Sequence, residues 1–238
     1  MPLSFIKACI LAILLIASPQ RALAYSDAEI IDGFNRTVFG SEFSSSTFGQ
    51  SYLRKFRKPV RLFIEPGGSK AQRLQIRRFV ASLPKLIKGL DISLVGNRKG
   101  ANFFVHPVTR ANYVKTARER VFRSSRAVVN GRCMVRAVFS RSGISKSDVV
   151  IVTDEGNDLF SRCMTEEILQ GLGPLNDDPT LRHSMFNDTS THTSFRRFDR
   201  LIMNVLYDDA LRPGMSQRRV KGLLAGITRR VQKRITGR

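Results

Sequence analysis

One short run constrains this chain more than any other: Met164-Thr165-Glu166-Glu167-Ile168-Leu169-Gln170-Gly171-Leu172-Gly173-Pro174-Leu175-Asn176. Its spacing predicts a helix that stops abruptly. Gly173 can take the left-handed conformation just past a helix end, and Pro174 cannot continue the helix. Glu166 and Gln170 are four residues apart and project from one face, with Glu167 beside them. Ile168 and Leu172 share another face, the one expected to be buried.

The chain opens with Lys7, an unbroken apolar run from Ala8 to Ala17, a break at Ser18-Pro19, and the small-x-small pattern Ala22-Leu23-Ala24. This order predicts a secretory signal peptide over residues 1–24, cleaved before Tyr25. A membrane anchor needs about 20 apolar residues, and this run is far shorter. Cys9 is followed, not preceded, by the apolar run, which argues against lipid modification. The mature chain is expected to be soluble in the periplasm or outside the cell. It keeps two cysteines, Cys133 and Cys163, and such a pair in an exported chain predicts one disulfide. The competing reading, a thiol nucleophile, needs a histidine base, and none lies nearby in sequence.

Charge narrows the partners. The chain carries 40 Lys and Arg against 19 Asp and Glu, a net +21. The leader holds Lys7 and Arg21 and no acid, so the mature chain keeps +19. Such an excess points to anionic lipid, an acidic polysaccharide or an acidic envelope protein, and in an exported chain these rank above nucleic acid. A basic but merely solvated surface is the competing reading. Several acids gather between Asp148 and Asp209, so the helix bearing Glu166 is locally acidic on a basic body.

Along the chain, Ser26-Asp27-Ala28-Glu29 predicts a capped short helix running to Phe34, and Ser44-Ser45-Ser46 a loop. Val60 to Ile64 alternates as a strand that Pro66-Gly67-Gly68 ends. Ser69 then caps a long helix with Leu74, Phe79, Val80 and Leu83 inward, kinked or ended by Pro84. Strands are expected at Ile92–Val95, Phe103–Val105, Met134–Phe139 and Asp148–Thr153, the last apolar enough to be central. A basic helix is expected over Thr109–Phe122. Leu181 to Phe195 reads as loop and Phe198 to Leu206 as a helix with Leu201, Ile202 and Val205 buried. Val220, Leu223, Leu224, Ile227 and Val231 form a helical stripe among Arg219, Lys221, Arg229, Arg230, Lys233 and Arg234. Arg229, Arg230 and Lys233 are candidate anion-binding residues. The helix can lie on anionic lipid or pack on its own domain and leave its basic face in water.

The run around Glu166 resembles the zinc-binding helix of zincin metallopeptidases, extended in the metzincin manner: His-Glu-x-x-His-x-x-Gly-x-x-His becomes Glu-Glu-x-x-Gln-x-x-Gly-x-x-Asn. Glu167 matches the general base and Gly173 the turn glycine, while Glu166, Gln170 and Asn176 occupy the three ligand positions. The chain is also similar to a family of secreted bacterial proteins of unknown function. The elements carrying that likeness are Arg162 to Asp177, Ser184-Met185-Phe186, Leu206-Tyr207-Asp208 and Pro213-Gly214-Met215, mostly in the C-terminal half. The resemblance implies an α+β, zincin-like fold: a mixed twisted sheet, a long backing helix, a site helix and a mainly helical C-terminal part. It makes Met215 a candidate methionine turn. No repeat or long linker interrupts residues 25–238, so one domain is expected, with an extension (25–58), sheet and site helix (59–176) and helical part (177–238).

Two kinds of chemistry follow. A hydrolytic zinc usually takes three protein ligands, commonly imidazoles, and an open water position, whereas Glu166, Gln170 and Asn176 offer oxygens. Oxygens suit a harder divalent cation, with Glu167 as candidate base. His183 and His192 lie downstream at a spacing that gives no geometric support. Alternatively, the polar set is a folding device, with Glu166 and Gln170 hydrogen-bonded to each other and Asn176-Asp177 closing the turn against the helix end. The expected function is therefore a non-catalytic, cofactor-free protein binding an envelope partner through its cleft or basic surface. The alternatives are a metal-dependent hydrolase and a polyanion- or membrane-surface-binding protein.

Overall fold

In chain order the elements are α1 (Asp27–Phe39), β1 (Val60–Ile64), α2 (Lys70–Leu86), β2 (Ile92–Leu94), β3 (Phe103–Val108), α3 (Arg110–Thr116), β4 (Cys133–Ser140), β5 (Gly143–Val152), α4 (Asn157–Gln170), α5 (Arg197–Leu206) and α6 (Gln217–Thr236). The computed structural model describes residues 25–40 and 52–237. The expected leader and the Ser44-Ser45-Ser46 loop lie outside them.

The five strands form one mixed sheet in the order β2-β1-β3-β5-β4. β1 pairs in parallel with β2 and β3, and β3 with β5. Only the β4–β5 hairpin is antiparallel, with a register shift between Val138 and Phe139. β5 lies between two strands and is covered on both faces, so its C-terminal half is an unbroken apolar run. Val149 and Ile151 enter the main core with Phe103, Val105 and Leu62. Val150 and Val152 enter a second core with Tyr113 and Val121 on the opposite face.

Helix α4 packs on β4 and β5, α2 packs beside β2, and α3 covers the opposite face of the sheet. α1 packs with α5 and α6, so the N-terminal extension completes the helical part of the domain. Among the described residues no helix is long and apolar enough to cross a membrane.

Local signals explain most boundaries. Ser26 and Ser69 each close a capping box, with Glu29 and Gln72 respectively. α1 runs past Phe34 to Phe39 because Phe34, Val38 and Phe39 are all buried and extend its apolar face. Pro84 does not stop α2, which continues to Leu86. Proline near a helix end removes one amide donor, and burial of Leu83 and Ile87 around it outweighs that loss. Leu74 is 44% exposed and Ile76 takes the inward position. The basic segment after Thr109 begins as α3 and widens into a π-helical run, Ala117–Phe122.

Candidate functional site

The site is built where α4 ends. The last turn closes with Gly171 donating to Glu167 O, and Gly173 donating to Gln170 O at 2.8 Å. Helical geometry ends at Gln170, three residues before the glycine that the sequence suggested. Both glycines are steric necessities. A Cβ on Gly171 would lie 2.6 Å from the Phe103 ring. Gly173 has φ 150, and a Cβ there would lie 2.7 Å from both Arg54 O and Leu206 Cδ2. The carbonyls freed at the helix end find side-chain donors: Ser147 Oγ reaches Gly171 O at 2.7 Å and the Tyr207 hydroxyl reaches Leu172 O at 2.8 Å.

The structure brings together Glu166, Glu167, Gln170 and Asn176, and all four are buried. Asp177 accepts hydrogen bonds from two of them. Gln170 Nε2 donates to Asp177 Oδ1 at 2.7 Å, and Asn176 Nδ2 donates to Arg36 O at 2.9 Å and to Asp177 O at 3.0 Å. Arg162, one turn upstream, donates to Glu166 Oε2 at 3.3 Å and to Asp188 O at 2.5 Å. The cluster thus ties α4 to α1 and to the loop after residue 177.

Burial, then repulsion from Asp177, pushes the Glu166 carboxyl up to about 8. Burial first, then Glu166 and Asp177, drives Glu167 well above the carboxylate range. Both shifts have the same physical origin: a carboxylate loses its hydration and faces other carboxylates. Burial and the neighbouring carboxylates thus both favour the protonated form of Glu167.

The zinc implied by the zincin resemblance does not fit these residues. Zinc favours imidazole and thiolate donors. Here the ligand positions hold one carboxyl that favours its protonated form and two amides whose NH2 groups are engaged with Asp177 and the α1 backbone. Among the described residues no group of three His, Cys, Asp or Glu side chains is arranged to hold a metal ion.

Other predicted residues sit as follows. Cys133 and Cys163 form a disulfide that joins β4 to α4, with Cα atoms 5.7 Å apart. Met215 is half-buried and exchanges backbone hydrogen bonds with the Leu53 segment: Leu53 N donates to Met215 O and Gly214 N to Leu53 O. Its turn lies against the β4–β5 hairpin, where a Cβ on Gly214 would meet Arg141 O at 2.5 Å. The α6 stripe is buried at Val220, Leu224, Ile227 and Val231, whereas Leu223 is 36% exposed. Arg230 pairs with Asp208 at 3.1 Å, Arg229 donates to Ala225 O, and Lys233 is exposed. His192 Nε2 lies 3.3 Å from Arg182 O, and His183 packs against the Tyr25 ring.

The recurring motifs are joints around this site. Ser184 Oγ donates to Asp199 Oδ1 at 2.6 Å and Met185 N donates to the same carboxylate, anchoring the loop to α5. Burial pushes Asp199 up to about 7 against these hydrogen bonds. Lys55 donates to Leu206 O at 3.0 Å and Asp208 O at 3.2 Å, closing the end of α5, and its burial lowers the ammonium to about 8.

Sequence reasoning missed a second buried polar group. His106 Nε2 lies 3.2 Å from Asp148 Oδ1, and Lys146 Nζ lies 2.6 Å from Asp148 Oδ2. Burial opposes ionisation of Asp148, but the bonds to His106 and Lys146 outweigh it and hold the carboxyl below its usual value. The one local signal was a lone histidine in the apolar strand Phe103–Val108; its partner Asp148 lies 42 residues away, inside β5.

A family model described as "Protein of unknown function (DUF2927)" matches residues 27–226. No curated protein and no solved structure matches the chain.

Proposed function

The chain belongs to the DUF2927 family, whose function is unknown, and from that premise we propose that it is an exported, zincin-like, non-catalytic protein that binds an anionic component of the cell envelope through its basic surface. One observation carries this reading: every group at the three ligand positions is buried and engaged internally, Glu166 with Arg162, Gln170 with Asp177 and Asn176 with Arg36. A site helix closed in this way serves as a strut. The mixed five-strand sheet followed by α4 supports the zincin-like part of the reading, and the disulfide supports export. The net charge of +19 that residues 25–238 carry supports an anionic partner.

The test uses untagged mature protein. Its metal content is measured by mass spectrometry after soaking in zinc, calcium and manganese. Its retention on lipopolysaccharide and on anionic-lipid vesicles is then followed through a salt series. The expected result is no stoichiometric metal and retention that falls steeply with salt. One equivalent of metal, lost on Glu166→Ala, would instead establish the metal-dependent hydrolase. Retention indifferent to salt would overturn the role of the basic surface.

A further inference from the structure

Residues 110–132 form an arm on the sheet face opposite the main core: α3, its π-helical continuation, a left-handed turn at Arg123 (φ 53) and the run to Arg132. We propose that this arm docks the protein onto an anionic lipid surface, with Val128 entering the apolar layer and Lys115, Arg120, Arg123 and Arg126 meeting lipid phosphates. The proposal rests on the basic-surface reading above and names its partner and its place.

Val128 is 79% exposed, more than any other large hydrophobic among the described residues. A valine in water at the tip of a loose loop would mean little, but this tip is held. Arg118 Nε donates to Ala127 O at 3.0 Å, the Tyr113 hydroxyl to Asn130 O at 2.9 Å, and an Arg110 guanidinium nitrogen to Gly131 O at 2.6 Å. Val129 packs inward against the second core. The backbone on both sides of Val128 is thus fixed by side chains from α3 and its continuation, and the valine is presented outward.

The cations around it are free to act. Arg110 and Arg132 pair with Glu155. Lys115, Arg120, Arg123 and Arg126 have no ion-pair partner among the described residues, and Glu119 is the one acid between residues 110 and 132. The same arm holds a groove of about 670 Å³ lined by Lys115, Arg118 and Arg123 against the single acid Glu119, with Ser124 and Ser125, large enough for a phosphate-bearing headgroup. An exposed apolar tip on a segment rich in unpaired cations is the chemistry of an anionic membrane surface. A soluble polyanion would satisfy the cations and leave Val128 in water. α6 offers this combination only weakly, because Val220, Leu224, Ile227 and Val231 of its stripe are buried and Leu223 is 36% exposed, against 79% for Val128.

The chain has no tryptophan, so Val128→Trp places a single reporter at the tip. The mature variant is titrated with phosphatidylcholine vesicles with and without phosphatidylglycerol. Emission should shift to the blue, and be quenched by brominated acyl chains, only when phosphatidylglycerol is present. In sedimentation, Arg123→Gln with Arg126→Gln should weaken binding about 25-fold, taking roughly fivefold per cation. Val128→Ser should weaken it by roughly tenfold. Thermal unfolding of each variant should match the parent. An unshifted tryptophan on bound protein, or arginine variants that bind like the parent, would overturn the arm as the docking site while leaving the basic-surface reading intact. Failure of the parent to bind phosphatidylglycerol vesicles, with salt-sensitive retention on lipopolysaccharide preserved, would overturn the lipid partner alone.

Discussion

The end of α4 and the arm at residues 110–132 are both dense in polar side chains, and they are built on opposite principles. Around α4 the polar groups are buried and satisfy one another: Gln170 with Asp177, Asn176 with the α1 backbone, Glu166 with Arg162. On the arm, three side chains fix the backbone and leave four cations and a valine facing solvent. In the first arrangement the amide nitrogens of Gln170 and Asn176 and one oxygen of Glu166 are already engaged within the protein. The second leaves its cations unpaired and an apolar group in water, which a folding role does not explain. On the docking proposal, the helix that carries the motif belongs to the frame of the protein, and the working surface lies in a segment without a motif.

The Cys133–Cys163 disulfide joins the two regions, since Cys133 follows the arm directly and Cys163 lies on α4. Breaking it should have the largest effect on the comparison. Its 30-residue separation predicts a loss of about 4 kcal/mol from the freed unfolded chain. Denaturant unfolding of Cys133→Ser with Cys163→Ser measures this. A loss below about 1 kcal/mol would mean that packing alone unites the arm and the helix. Next in size is Gly173→Ala, which places a Cβ 2.7 Å from Arg54 O at a backbone angle that side chains disfavour. It should cost about 3 kcal/mol in the same measurement. Normal stability would show that the segment at Arg54 yields easily, and the α4 end would lose its claim to rigidity.

The third prediction sharpens the contrast through pH. The Glu166 carboxyl is raised from 4.5 to about 8, so the folded state holds a proton that the unfolded chain releases earlier. Stability is then full below about pH 4.5 and falls as pH rises towards 8, levelling beyond it. Glu166→Gln should flatten that decline by on the order of 2 kcal/mol, because Glu167 and Asp177 retain part of the coupling. Unfolding free energies from pH 4 to 9 test it. A wild-type profile rising over this window would mean that Glu166 stays ionised in the fold, and the closed-cluster description would fail.

The sequence carried the fold far better than it carried the working parts. Alternation in Val60–Ile64 and the apolar run of β5 were legible because period and burial coincide there. Ser26 and Ser69 announced their helices because a cap is a local device. The bond from Asn176 to Arg36 O was harder to read, since it joins the end of α4 to α1 across 140 residues. His106 was hidden by its neighbours: in an apolar strand nothing local shows that Asp148 and Lys146 wait on the next strand. Val128 was invisible for a different reason. Val128 and Val129 are identical side chains in adjacent positions, and only the hydrogen bonds to Ala127, Asn130 and Gly131 decide which one faces water.

The smallest expected effect is the most discriminating. Arg123→Gln with Arg126→Gln removes two charges from the arm and should change unfolding free energy by less than about 0.5 kcal/mol, as exposed unpaired side chains do. Gln170→Ala removes one neutral amide from the α4 cluster and should cost about 1–3 kcal/mol, because it deletes a buried donor to Asp177. Measured side by side in denaturant, the pair sets two charges against one amide, and the amide should matter more. If the arginine pair proves the costlier, the arm is bound into the fold by contacts of its own. Its cations would then be no freer than the carboxyls of α4, and the division between a closed region and an open one would collapse.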